Sequence, residues 1–179
     1  MGGGRRVKHF ILSLIALIFF VFDSIFAQLF ASELFGKENI VVPHFMMVFI
    51  FFLTIFGSRR YGMIYGAALG LAYDVVYTEI LGIFMFLIPF LAYLMAKCMK
   101  VLQSNWLIVI VVSTVFIAIS EMVVYEMNVI MSFAALTFAE FAERRLWPTA
   151  LLNLVFIIAS YYPIQKLIRK IVTKSEMES

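Results

Sequence analysis

Apolar residues run almost unbroken through this chain, and the polar positions between the runs predict its elements. A run of about 20 apolar residues is enough for a helix to cross the ~30 Å hydrocarbon core of a bilayer. The first covers Phe10 to about Phe30 and contains Asp23 and Gln28. No small-x-small cleavage pattern follows it, since Ile25-Phe26-Ala27 fails at its first position, so it reads as a retained span. The polar linker Ser32–Asn39 leads to a short second run, Val41–Phe56, with Pro43 where a first helical turn accepts proline. Gly57-Ser58-Arg59-Arg60 reads as a tight basic turn into a third run, Tyr61–Tyr77, closed by a minimal Thr78-Glu79 turn. The fourth run, Ile80–Ala96, carries Pro89 as an expected kink. The basic loop Lys97–Asn105 precedes the fifth, Trp106–Tyr125, with Glu121 near its far end. Between Met127 and Leu146, Phe133, Leu136, Glu140 and Arg144 recur at helical spacing. The end of that stretch is too polar to span, which predicts an interfacial helix. The sixth run starts at Trp147-Pro148 and reaches Pro163, before a basic tail over 164–179.

The third run is the most patterned. Gly62, Gly66, Gly70 and Asp74 recur every four residues, a spacing that keeps them on one face drifting about 40° per step. Small residues at this spacing let a second helix approach backbone to backbone in lipid. The occupant can be a neighbouring span or a partner's helix. Asp74 can cap the turn that follows, pair with a partner or with donors such as Tyr73, Thr149 or Asn153, or serve a proton or ligand site. A charge at mid-bilayer costs roughly 2.5–3.5 kcal/mol on insertion scales. Asp23, Asp74 and Glu121 are therefore expected to face a groove or reach an interface.

Composition strengthens this picture. Hydrophobic residues make up 64% and charged residues 14% of 179, and the mean hydropathy is +1.03. The expected fold is all-α: one polytopic integral membrane domain, a six-helix transmembrane bundle. The formal charge of +3 does not point to nucleic acid, because the basic residues flank apolar runs. With the N-terminus inside, the inner segments hold Arg5, Arg6, Lys8, Arg59, Arg60, Lys97, Lys100, Lys166, Arg169, Lys170 and Lys174. Only Lys37, Arg144 and Arg145 fall outside. That asymmetry places both termini in the cytoplasm. Arg59, Arg60, Lys97 and Lys100 become candidate cytoplasmic contacts for anionic lipid or an acidic protein face.

Little in the sequence suggests catalysis. One cysteine, Cys98, excludes an internal disulfide and a cysteine metal cluster, and His9 and His44 sit at run edges. No histidine-pair zinc motif, phosphate loop or nucleophile elbow occurs. No catalytic residue, metal or cofactor is expected.

The stretch Tyr61-Gly62-Met63-Ile64-Tyr65-Gly66, continuing through Gly70-Leu71-Ala72-Tyr73-Asp74 to Gly82, resembles the core signature of the rod-shape-determining MreD family, nearest to versions from Bacillus-like Gram-positive bacteria. Pro148-Thr149-Ala150-Leu151-Leu152-Asn153 with Tyr161-Tyr162-Pro163 resembles that family's closing segment. The resemblance carries over Gly66, Gly70, Asp74, Gly82, Pro148, Thr149 and Asn153 as signature positions. It implies a non-enzymatic subunit of the cell-elongation machinery in the bacterial plasma membrane. Its implied partners are the single-span protein MreC, the MreB filament, and a RodA-type glycan polymerase with its transpeptidase. It also implies a fold similar to the substrate-binding subunits of energy-coupling-factor transporters. The rival reading is a small-molecule binder, either a vitamin-transporter subunit or a small ion-coupled carrier, because spans three and four are interrupted by glycine and proline.

Overall fold

In the computed structural model, the described residues are 3–29, 36, 39–78, 81–103, 105–133 and 136–177, and they form helices with no strand among them. Most of the expected linker over 32–39, including Glu33, Lys37 and Glu38, lies outside the described residues, as does Glu79. The helices are α1 (Gly3–Leu29), α2 (Phe45–Phe52, extended by a π turn over Leu53–Gly57), α3 (Arg59–Tyr77) and α4 (Ile83–Leu102). They continue with α5 (Trp106–Ile130), the short α6 (Phe138–Phe141) and α7 (Trp147–Met177), the last two joined by a π turn over Ala142–Leu146. The chain is an all-α polytopic membrane protein. By length and composition four helical stretches could cross a bilayer: 10–29, 83–102, 106–130 and 138–172. The glycine helix α3 has the length, at 19 residues, but its tyrosines, glycines and end charges lower its hydropathy.

Several boundaries differ from those the apolar runs suggest. Helix α4 starts at Ile83 rather than Ile80, α5 continues to Ile130, and α7 runs through most of the basic tail. Pro148 does not open a separate helix, because helical backbone is continuous from Phe138. The proline has no N–H for the Arg144 carbonyl four residues earlier, and that carbonyl accepts the Ile40 N–H at 2.8 Å instead.

The largest departure is the second run. Helix α2 begins only at Phe45, two residues after Pro43, and with its π turn it has 13 residues, about 20 Å at 1.5 Å per residue. Every residue from Phe45 to Phe52 is buried. A helix apolar on all sides has no face for water and belongs at a centre. The others surround it: Phe19 stacks on Phe49 (5.3 Å between centroids), Phe45 meets Phe156 (4.0 Å), and Phe51 meets Phe116 (6.0 Å). Residues 40–44 lead into it in non-helical conformation.

Around this core, α3 and α4 form the most intimate pair. The glycine face is where they meet. A Cβ at Gly70 would overlap the Phe84 carbonyl, and one at Gly66 would lie 3.1 Å from Ile88 and 3.3 Å from the Pro89 nitrogen. One at Gly62 would overlap the Thr54 hydroxyl of the π turn after α2. Of the two occupants the spacing allows, neighbouring segments of the same chain are the ones found. The stripe is filled.

Candidate functional site

The buried ionisable residues and their polar partners gather at one end, where α1, α3 and α5 finish and α2 and α4 begin. Two aspartates there perform one task. Asp74, fully buried, accepts the N–H groups of Gly82 (3.0 Å), Phe84 (2.9 Å) and Met85 (2.9 Å). Asp23, 2% exposed, accepts those of Phe45 (2.8 Å) and Met46 (3.1 Å). The first N–H groups of a helix have no partner within it, and the helix dipole makes that end positive. Hydrocarbon offers no water to replace such partners. Each aspartate thus caps the helix that follows its own, and its carboxyl oxygens answer the orphan amides. Gly82 sits at the N-cap of α4 with φ +106°, a conformation that favours glycine, and this brings its N–H onto Asp74.

Glu121 is 1% exposed and accepts two side-chain donors, His44 Nε2 and Arg145 Nε, each at 2.6 Å. With the ionised carboxylate as acceptor, His44 carries a proton on Nε2. The arginine is 28% exposed and reaches inward from the π turn before α7.

The non-helical segment before α2 is held by α7. Val42 N–H donates to Thr149 Oγ1 (3.1 Å), and His44 N–H donates to Asn153 Oδ1 (2.8 Å). Asn153 Nδ2 donates to the Val42 carbonyl (3.0 Å) and to the Thr149 carbonyl one turn back (2.8 Å). One asparagine therefore satisfies a donor and an acceptor two residues apart, as a neighbouring strand would. Non-helical backbone at membrane depth persists only where protein supplies such partners.

Over these groups lies a cavity of about 350 Å³, lined among others by Tyr73, Tyr77, Glu121, Asn128 and Arg145. An open apolar groove between α4 and α5 adjoins it, with Ile83 lining both.

At the opposite end, Arg59 and Lys97 flank the Tyr93 ring, 5.5 and 5.6 Å from its centroid, and Arg169 lies 5.6 Å from that of Phe56. Arg60 and Lys100 are exposed there.

The structure thus separates the candidate residues into three groups. Gly62, Gly66 and Gly70 pack within the chain. Asp74 with Gly82, and Thr149 with Asn153, secure the ends of α4 and α2. Arg59, Arg60, Lys97 and Lys100 are surface cations at the far end. Of the three carboxylates, expected to face a groove or reach an interface, Glu121 lines the cavity, whereas Asp23 and Asp74 are buried against backbone donors of their own chain. Among the described residues Asp74 bonds to Thr78 and to the amides that follow, in the manner of a cap on the turn after its helix, and not to Tyr73, Thr149 or Asn153. Sequence reading overlooked His44 and Arg145 as the pair around Glu121. The signal available was Thr149 and Asn153 four apart on one helix face, which marks a surface that binds something polar.

A sequence model described as "rod shape-determining protein MreD" matches residues 8–171. The rod shape-determining protein MreD of Bacillus subtilis (strain 168) is 30% identical over 159 residues, covering 89% of this chain and 92% of that protein. No solved structure matches.

Proposed function

The chain belongs to the MreD family of rod shape-determining proteins, and from that premise we propose that it is a non-enzymatic scaffold of the cell-elongation complex. In this reading it binds MreC and links cytoplasmic MreB to the RodA-type polymerase and its transpeptidase. It sits in the bacterial plasma membrane with both termini in the cytoplasm. The observation that carries the reading is how the buried carboxylates are used. Asp23 and Asp74 accept from helix-end amides, and Glu121 is shared between His44 and Arg145. Groups committed to holding the bundle in shape suit a part that presents surfaces more than one that turns over substrate.

The orientation rests on the basic end, where Arg59, Arg60, Lys97, Lys100 and Arg169 would meet anionic headgroups at roughly 1 kcal/mol per residue, or an acidic face of a cytoplasmic partner. Because the glycine stripe is occupied, a partner's helix would have to dock on an outer face of the bundle.

Tagged protein extracted in mild detergent from cells that also express MreC is expected to retain MreC at near-stoichiometric amounts. Asp74→Ala should lose it together with the fold, whereas Lys97→Gln with Lys100→Gln should keep it. Absence of MreC from the folded wild-type protein would refute the scaffold reading.

A further inference from the structure

We propose that the cavity at the carboxylate end and the groove beside it form one binding site for a membrane lipid with a phosphate in its headgroup. Two adjoining spaces of opposite chemistry carry the inference. The groove is walled by Leu87 and Phe90 of α4 and by Val123 and Met127 of α5, and it opens sideways, with Phe90 56% and Met127 42% exposed. That shape suits a hydrocarbon chain entering from the bilayer. It leads to the cavity at Ile83, and the neighbours of its α5 wall, Val124 and Asn128, line the cavity itself.

The cavity's strongest donor is a guanidinium, with the Asn128 side chain and two tyrosines beside it. Arg145 spends Nε on Glu121, and among the described residues its two terminal nitrogens have no protein partner. Tyr73 and Tyr77 line the same space, and neither hydroxyl has a hydrogen-bond partner among the described residues. Among the described residues Glu121 is the one acid in the lining, and both of its oxygens already accept a donor. Paired guanidinium N–H groups match two phosphate oxygens in one plane, and such charge-assisted bonds strengthen away from water. A free phosphate would leave the groove empty, and a neutral lipid would leave the guanidinium unused. A phosphate-headed lipid satisfies both.

The test uses the full-length protein in detergent, with binding read by native mass spectrometry. The three probes are dioleoyl phosphatidic acid, dioleoylglycerol and inorganic phosphate. The expected result is one tightly held phosphatidic acid, with dioleoylglycerol at least tenfold weaker and no competition from millimolar phosphate. Val123→Trp, which fills the groove, and Arg145→Lys, which removes the planar fork, should each weaken retention at least fivefold. Leu151→Ala, at an exposed position of α7 that lines neither space, should not change it. If Arg145→Lys lowers the melting temperature, Tyr77→Phe on an exposed ring takes its place with the same expected direction. The proposal is overturned by equal retention of dioleoylglycerol, by phosphate binding as tightly as the lipid, or by wild-type retention in Val123→Trp.

Discussion

Replacing Asp74 by alanine would strip the acceptor from the amides of Gly82, Phe84 and Met85 at once. An unsatisfied buried donor costs about 1–3 kcal/mol, so the loss should reach at least 3 kcal/mol in an SDS titration followed by circular dichroism. Asp74→Asn retains one acceptor oxygen and should fall between. Equal stability of all three proteins would exclude the capping role. Glu121→Gln tests the other arrangement. It leaves His44 and Arg145 facing an amide, and breaking a buried pair from one side costs about 3–5 kcal/mol. Adding Arg145→Gln should recover part of that loss, which a double-mutant cycle in the same titration would register. At this scale the sequence is informative about cost and silent about partners. Asp23, Asp74 and Glu121 stand out because ionisable groups are scarce in apolar runs. What each one touches depends largely on contacts 8 to 77 residues away in the chain, which no local pattern encodes.

Among the elements, the glycine helix permits a graded experiment. At Gly70 an added methyl meets the Phe84 carbonyl, which is backbone and cannot swing aside. At Gly62 it meets Thr54, whose Cα also lies within 3.1 Å, while at Gly66 the nearest atoms, the branch methyls of Ile88 and Ile50 and the Pro89 nitrogen, stand at 3.1–3.5 Å and need give by only a few tenths of an ångström. Overpacking costs typically 1–3 kcal/mol. Alanine should therefore cost about 2–3 kcal/mol at positions 70 and 62 and under about 1 kcal/mol at 66, measured as midpoint shifts in thermal unfolding. Gly70→Leu should disrupt the α3–α4 pair itself, not only an assembly built on it. The four-residue repeat was enough to foresee close packing here, because the period of a helix fixes a face. It could not select between a neighbour and a partner, since both want the same small residues. The second run misled for a different reason. Val41 and Val42 are as apolar as the residues after them, so hydropathy cannot tell that the helix waits until Phe45; the hydrogen bonds from Thr149 and Asn153 decide it.

For the molecule as a whole, the two ends are chemically distinct, and their placement can be read by labelling. In a cysteine-free background made with Cys98→Ser, a membrane-impermeant thiol reagent applied to intact protoplasts should modify Met131→Cys, an exposed position beyond α5. It should spare Lys100→Cys at the basic end until the membrane is opened. The reverse pattern would invert the proposed topology. One further consequence concerns how the chain is made. The amides of Val42 and His44 find their acceptors on Thr149 and Asn153, more than a hundred residues later in synthesis. A ribosome that has delivered the second helix has not yet delivered what closes over it. Until the last helix emerges, that early segment must wait in the translocation channel, under an insertion chaperone or at the headgroup layer. Nascent chains stopped before Trp147 should consequently be degraded by membrane quality control, while those released after the last helix survive.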